Sequence, residues 1–110
     1  MIYFITRHSG ALEWLQQQVA EPAVHISHLS DISSISHGDT VIGTLPVNLV
    51  ATLCKRGVRY LHLEVSPPPH LRGQELSAKQ LSELDTVLVE YFAYAPCPDE
   101  WILERACELE

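Results

Sequence analysis

The sequence has no GxGxxG and no GxxxxGK(S/T), so neither a dinucleotide turn nor a nucleoside-triphosphate loop is indicated. It also lacks GxSxG, which sets aside a serine nucleophile on a strand-to-helix elbow. The cysteines Cys54, Cys97 and Cys107 are odd in number and form no CxxC pair, leaving neither a disulfide framework nor a zinc ribbon. Cys54 reads as a core residue. His25 and His28 have HxxH spacing, but on a strand they face opposite sides, and no cysteine or carboxylate pattern completes a metal set. No metal and no cofactor are expected. No stretch approaches the roughly 18 apolar residues of a membrane helix, and the amino terminus lacks a signal peptide's basic-then-apolar layout. The expectation is a cytoplasmic protein with no membrane partner.

Basic residues are also scarce. Seven Lys and Arg stand against fourteen Asp and Glu, a net charge of −7, which argues against long nucleic acid as a partner because cationic contacts to phosphates supply most of that affinity. The excess is not spread evenly. Residues 1–80 balance Arg7, Lys55, Arg56, Arg59, Arg72 and Lys79 against six carboxylates, whereas only Arg105 opposes the eight acidic residues of 81–110. An anionic ligand therefore belongs to the first eighty residues, and the acidic end reads as a solvated helical face.

What is present is an alternation of strands and helices. Ile2-Tyr3-Phe4-Ile5 is a β-branched and aromatic run that fits a buried strand. After the turn Arg7-His8-Ser9-Gly10, the positions of Leu12, Leu15 and Val19 switch to helical spacing until Pro22. Val24–Leu29 reads as a second strand and Ser30–Gly38 as a serine-rich loop. Thr40-Val41-Ile42 is a third strand, followed by Gly43-Thr44 and by Pro46, suited to a helix's first turn. That helix buries Leu49, Val50, Leu53 and Cys54 and stops at Gly57. Val58–Val65 is a fourth strand, and Ser66-Pro67-Pro68-Pro69 a stiff extended loop leading to Arg72. Ser77-Ala78-Lys79-Gln80 has the form of a capping box, and Leu81, Leu84, Leu88 and Tyr91 predict a third helix continuing to just before Pro96. Pro98-Asp99-Glu100 resembles a further helix start, making 97–110 a terminal helical extension of a single domain over 1–110.

The pattern predicts one α/β domain of Rossmann type, a mostly parallel central sheet flanked by helices, with ligands outside the carboxyl ends of the strands. The two polar turns fall at that edge. At Ser9-Gly10-Ala11 the unpaired N–H groups of a helix start can meet a phosphate, Arg7 adds a fork of donors, and His8 can exchange a proton near neutral pH. Thr6 ends the strand beside them. Gly43-Thr44-Leu45-Pro46 repeats this logic, with the Thr44 hydroxyl capping the helix or binding an oxygen. Asn48 can reach a base edge or a ribose, and Arg72 can close over an anion. His62 and Glu64 share one face of the fourth strand, with a structural role the simpler reading.

Three blocks carry a resemblance: Tyr3 to Ala11 (YFITRHSGA) with Glu13-Trp14; Gly38 to Leu49 (GDTVIGTLPVNL) running through Gly57 to Leu63; and Leu71 to Ser77 (LRGQELS). The sequence resembles the small stand-alone CRISPR-associated proteins called Csx-sixteen, found beside type III systems. The similarity spans residues 3 to about 78, and Ser9 stands where many relatives have proline. The resemblance implies a CARF-like homodimer that binds a cyclic oligoadenylate, most readily the four-membered ring, and cleaves it as a ring nuclease. On this reading a ribose 2′-OH attacks the adjacent phosphorus without metal and leaves a 2′,3′-cyclic phosphate. Local chemistry assigns Arg7 and His8 to catalysis and Thr6, Ser9, Gly10, Gly43, Thr44, Leu45, Pro46, Asn48 and Arg72 to ligand binding. Three other readings remain: a non-catalytic sensor or sponge for the same messenger, a phosphohydrolase suggested by Arg7-His8, and an assembly partner using the acidic end.

Overall fold

The structure, a computed structural model, describes residues 1–96. Five strands form one sheet: β1 (Ile2–Ile5), β2 (Ala23–Ile26), β3 (Thr40–Gly43), β4 (Arg59–Glu64) and β5 (Val87–Tyr91), in the order β2-β1-β3-β4-β5. β1 pairs in parallel with β2 and β3, β3 pairs in parallel with β4, and β5 runs antiparallel to β4. The helices are α1 (Ser9–Gln18), α2 (Val47–Lys55) and α3 (Ala78–Glu83), with 3-10 turns at Leu29–Ser34 and Pro69–Leu71. This is the expected Rossmann-like α/β arrangement.

The helices divide between the faces because each has one apolar stripe to bury. Trp14 and Leu15 of α1 and Ala78 and Leu81 of α3 pack with Phe4, Ile42 and Leu63 on one face. Val50 and Leu53 of α2 pack with Ile5, Val41 and Tyr60 on the other. Each fully buried aliphatic side chain contributes about 1.5–3 kcal/mol. α2 closes in a Schellman motif, in which Gly57 (φ 83°) donates its N–H to Cys54 and Val58 donates to Leu53. Cys54 and Leu49 pack against the α2-side core but are only half-buried, so of the four α2 residues expected to be buried only Val50 and Leu53 are.

The structure corrects several boundaries. α3 is much shorter than its apolar spacing predicts. Its capping box is present, with the Gln80 N–H donating to Ser77 Oγ at 3.1 Å and the Ser77 N–H to Gln80 Oε1 at 2.9 Å. Asp85 then adopts a left-handed φ of 55°, and Thr86 donates both its N–H (3.3 Å) and its hydroxyl (2.6 Å) to the Leu81 carbonyl, which ends the helix. Beyond it, β-branched Val87 and Val89 favour a pleated strand, and they alternate with Leu88 and Glu90 in β5. β2 stops at Ile26, and Leu29–Ser34 winds into a 3-10 turn. The helix expected beyond Pro98 lies outside the described residues. Among the described residues no helix is long and apolar enough to cross a membrane.

Strand order fixes the place of the site. From β1 the chain moves outward to β2, then crosses back to lay β3 on the other side of β1, so the order reverses between β1 and β3. In open α/β sheets the crevice above that reversal is where ligands bind.

Candidate functional site at the β1 and β3 strand ends

Ile5 lies beside Gly43 in the sheet register, so the turns that follow β1 and β3 emerge side by side at the reversal point. Only glycine fits there. A Cβ on Gly43 would stand 2.4 Å from the Ile5 carbonyl oxygen. The two turns border a cavity of about 160 Å3, to which Thr6, His8, Gly43 and Thr44 contribute. Its floor and sides are aliphatic, formed by Ala11 and Leu15 of α1, Leu63 and Val65 at the end of β4, and Leu81 of α3. Gln74, Glu75 and Leu76 close it from above.

The first turn is fixed at several points. Thr6 donates its N–H to the Ile26 carbonyl at 3.3 Å, and its own carbonyl accepts from His25 Nε2 at 2.8 Å. The His8 N–H donates to Thr6 Oγ1 at 3.1 Å, which sets the backbone of His8 as the residue preceding α1. Gly10 is buried, and a Cβ there would fall 1.8 Å from the Leu76 carbonyl oxygen. Its bare backbone is therefore used by the 74–77 segment, which lies directly on the start of α1. That approach carries Glu75 to His8.

The His8 Nδ1 lies 2.8 Å from Glu75 Oε1 and 3.1 Å from Oε2. An ionised carboxylate only accepts, so Nδ1 carries the hydrogen and, in the neutral ring, the lone pair is on Nε2. A carboxylate that fixes the tautomer and aims an imidazole is the arrangement general bases use. The two side chains are 65% and 67% exposed, so the pair contributes little to stability and leaves the reactive edge accessible.

The second turn is held from the opposite face of the sheet. Tyr60, buried in the α2-side core, donates its phenol proton to the Gly43 carbonyl at 3.0 Å and accepts the Leu45 N–H at 2.9 Å. His62 Nδ1 lies 2.7 Å from the same oxygen; with the phenol proton on Gly43, the imidazole is the donor. Burial pushes the Tyr60 phenol above its usual pKa, partly opposed by the hydrogen bond from Leu45. His62 also meets the Tyr91 ring edge-on, and Tyr91 donates to Glu64. His62 and Glu64 do share one face, as alternation predicts.

Of the residues singled out in the sequence, Thr6, His8, Gly43 and Thr44 meet in the cavity. Arg7 and Ser9 are exposed beside it, and Arg72 is exposed at the far end of the loop that carries Glu75; none of the three forms the cavity wall. Leu45 points into the α2-side core, and Pro46 precedes α2, its carbonyl accepting from Leu49 and Val50. Asn48 is exposed on the first turn of α2. Glu75, Gln74 and Tyr60 were not singled out from their local chemistry, although Gln74 and Glu75 lie within the LRGQELS block.

Compared with known families, residues 3–94 match the family model described as "Putative CRISPR-associated protein (Cas_VVA1548)". No curated protein and no solved structure gives a match. The matched span runs from β1 through β5 and takes in both turns, His8 and Glu75. Covering well over half of the 110 residues, it shows that the chain belongs to this CRISPR-associated family.

Proposed function

We propose that this protein is a ring nuclease of type III CRISPR defence, as its resemblance to the Csx-sixteen proteins implies, acting on a cyclic oligoadenylate with the four-membered ring as first choice. Membership of a CRISPR-associated family supports the setting. The observation that carries the chemistry is the hydrogen bond from His8 Nδ1 to Glu75, which leaves Nε2 available as a base at the strand-end crevice. In this reaction His8 Nε2 takes the proton of a ribose 2′-OH as its oxygen attacks the adjacent phosphorus. The bond from phosphorus to the 5′-oxygen breaks, that oxygen takes a proton from solvent water as it leaves while His8 later returns its proton to solvent, and a 2′,3′-cyclic phosphate remains. Arg7, exposed next to His8, supplies a guanidinium to the phosphate, and no metal takes part. A two-fold homodimer in the cytoplasm would present the same junctions to opposite halves of the ring.

Incubation with cyclic tri-, tetra- and hexa-adenylate, with and without chelator, followed by product chromatography, tests this. Linear products ending in a 2′,3′-cyclic phosphate are expected, insensitive to chelator, with His8→Ala slower by about 10²–10⁴-fold. Unchanged turnover in that variant would remove His8 from the chemistry. A sensor or sponge is the second reading. It is favoured by the cavity wall, which among the described residues contains a carboxylate and neither lysine nor arginine, and it would return bound but intact ring.

A further inference from the structure

The sequence points to a phosphate held between the two strand-end turns, but the space between them is unsuited to one. Ala11, Leu15, Leu63, Val65 and Leu81 make it aliphatic, and among the described residues its charged or ionisable lining is His8 and Glu75, both exposed. Taking a phosphate into such walls removes its hydration with no cation to replace it, a cost of several kcal/mol or more. Size points the same way. At about 160 Å3 the space is close to the roughly 150 Å3 aliphatic cavity known to hold one benzene, and far below the roughly 300–1,000 Å3 that encloses a drug-sized ligand.

We infer that this cavity is a slot for one neutral nucleobase, entered edge-first between α1, α3 and the end of β4, with the sugar and phosphate outside beside His8. The inference rests on the ligand class proposed above and assigns its parts. Aliphatic walls suit the faces of a flat ring, and of the neutral polar side chains in the lining Thr6 is engaged by the His8 N–H, which leaves Thr44 and Gln74 to meet its edge. The Thr44 hydroxyl both donates and accepts. Gln74 commits its amide nitrogen to the His70 carbonyl at 3.1 Å, which leaves its amide oxygen for an exocyclic amine. With the base in the slot, the attached ribose lies at the mouth, within the region served by His8 Nε2. A ring of several nucleotides cannot fit inside, so one subunit takes one base and the remaining nucleotides lie across the strand ends.

The test uses the intact protein with two probes that divide a nucleotide: adenosine, which has no phosphate, and ribose 5-phosphate, which has no base. Amide shifts in 15N-labelled protein are followed during titration. Adenosine is expected to bind saturably and ribose 5-phosphate not to compete with it. Ala11→Leu, a good helix former that fills the slot from α1, should weaken adenosine by about tenfold or more. Should Ala11→Leu lose its thermal transition, Thr44→Val at an exposed position is the second variant, expected to weaken adenosine severalfold. Competition by ribose 5-phosphate overturns the inference. So does adenosine binding that survives in the folded variant, or its absence in the wild type. Cyclic tetra-adenylate assays separate the two readings. Slot-dependent adenosine binding with an intact ring ends the nuclease proposal alone, whereas ring cleavage that Ala11→Leu leaves unchanged ends the slot alone.

Discussion

The turn after β1 and the turn after β3 both lead from a parallel strand into a helix, both adjoin a glycine with no room for a side chain, and both border one cavity. They are nonetheless held from opposite directions. The β1 turn is braced from above by the 74–77 segment, which rests on Gly10 and brings Glu75 to an exposed His8. The β3 turn is braced from the far face of the sheet by the buried Tyr60 phenol, which ties Gly43 to Leu45. The first support is a largely exposed loop and the second a buried core side chain, so the first is expected to yield more readily. The division separates the part of the site with acid–base chemistry from the part that gives it a rigid wall.

Alanine at each glycine sharpens that comparison and carries the largest stability effects. The shorter contact is at Gly10, 1.8 Å against 2.4 Å at Gly43, yet the greater loss is expected at Gly43. Its neighbour, the Ile5 carbonyl, is paired within a parallel sheet and has nowhere to go, whereas the Leu76 carbonyl can retreat with its loop. Gly43→Ala should cost about 2–3 kcal/mol and Gly10→Ala about 1–2 kcal/mol in denaturant unfolding. Gly10→Ala should also separate Glu75 from His8, so turnover falls further than stability predicts. Equal losses at the two positions would mean that the loop is as rigid as the sheet.

Tyr60→Phe probes the support beneath the second turn. It leaves the Leu45 N–H buried without its acceptor, a loss of about 1–2 kcal/mol. The pH dependence has a definite sign. Because burial raises the Tyr60 phenol in the folded chain above the usual value near 10, the folded state binds more protons at alkaline pH. Its contribution is fully present below about pH 10 and is lost as pH rises through the raised value. Unfolding measured from pH 8 to 12 should show a shallower alkaline decline in Tyr60→Phe. Some decline remains, because the hydrogen bond to Glu64 raises the Tyr91 phenol too.

Both turns were legible in the sequence, because a short apolar run, a polar break and a change from strand to helical spacing mark them without tertiary information. The supports were not. Glu75 reaches His8 across 67 residues, and the contact exists because Gly10 lets the Leu76 backbone approach, a fact of packing and not of pattern. Tyr60 lies in an ordinary strand alternation, and nothing local shows that its hydroxyl meets the neighbouring turn. β5 was hidden for another reason. Leu81, Leu84, Leu88 and Tyr91 satisfy a helical stripe while Val87, Val89 and Tyr91 satisfy a strand, and the choice was made by Asp85 and Thr86 closing α3 after Glu83.

The smallest expected effect on stability is the most informative about chemistry. Glu75→Gln keeps an oxygen that can accept from His8 Nδ1, but adds an amide that can donate to it. The ring is then free to exchange its tautomer and place the proton on Nε2, where it blocks the base. Because both side chains of the wild-type pair are largely exposed, unfolding should change by no more than about 0.5 kcal/mol. Turnover of cyclic tetra-adenylate should fall by about tenfold, with most of the loss in kcat. Nitrogen shifts of the His8 ring distinguish orientation from mere proximity. The wild type should show hydrogen on Nδ1 in its neutral form, and the variant a mixture. If the ring keeps the Nδ1–H tautomer in Glu75→Gln and turnover is unaltered, the loop-held turn has no part in orienting the base, and the contrast between the two turns reduces to one of rigidity alone.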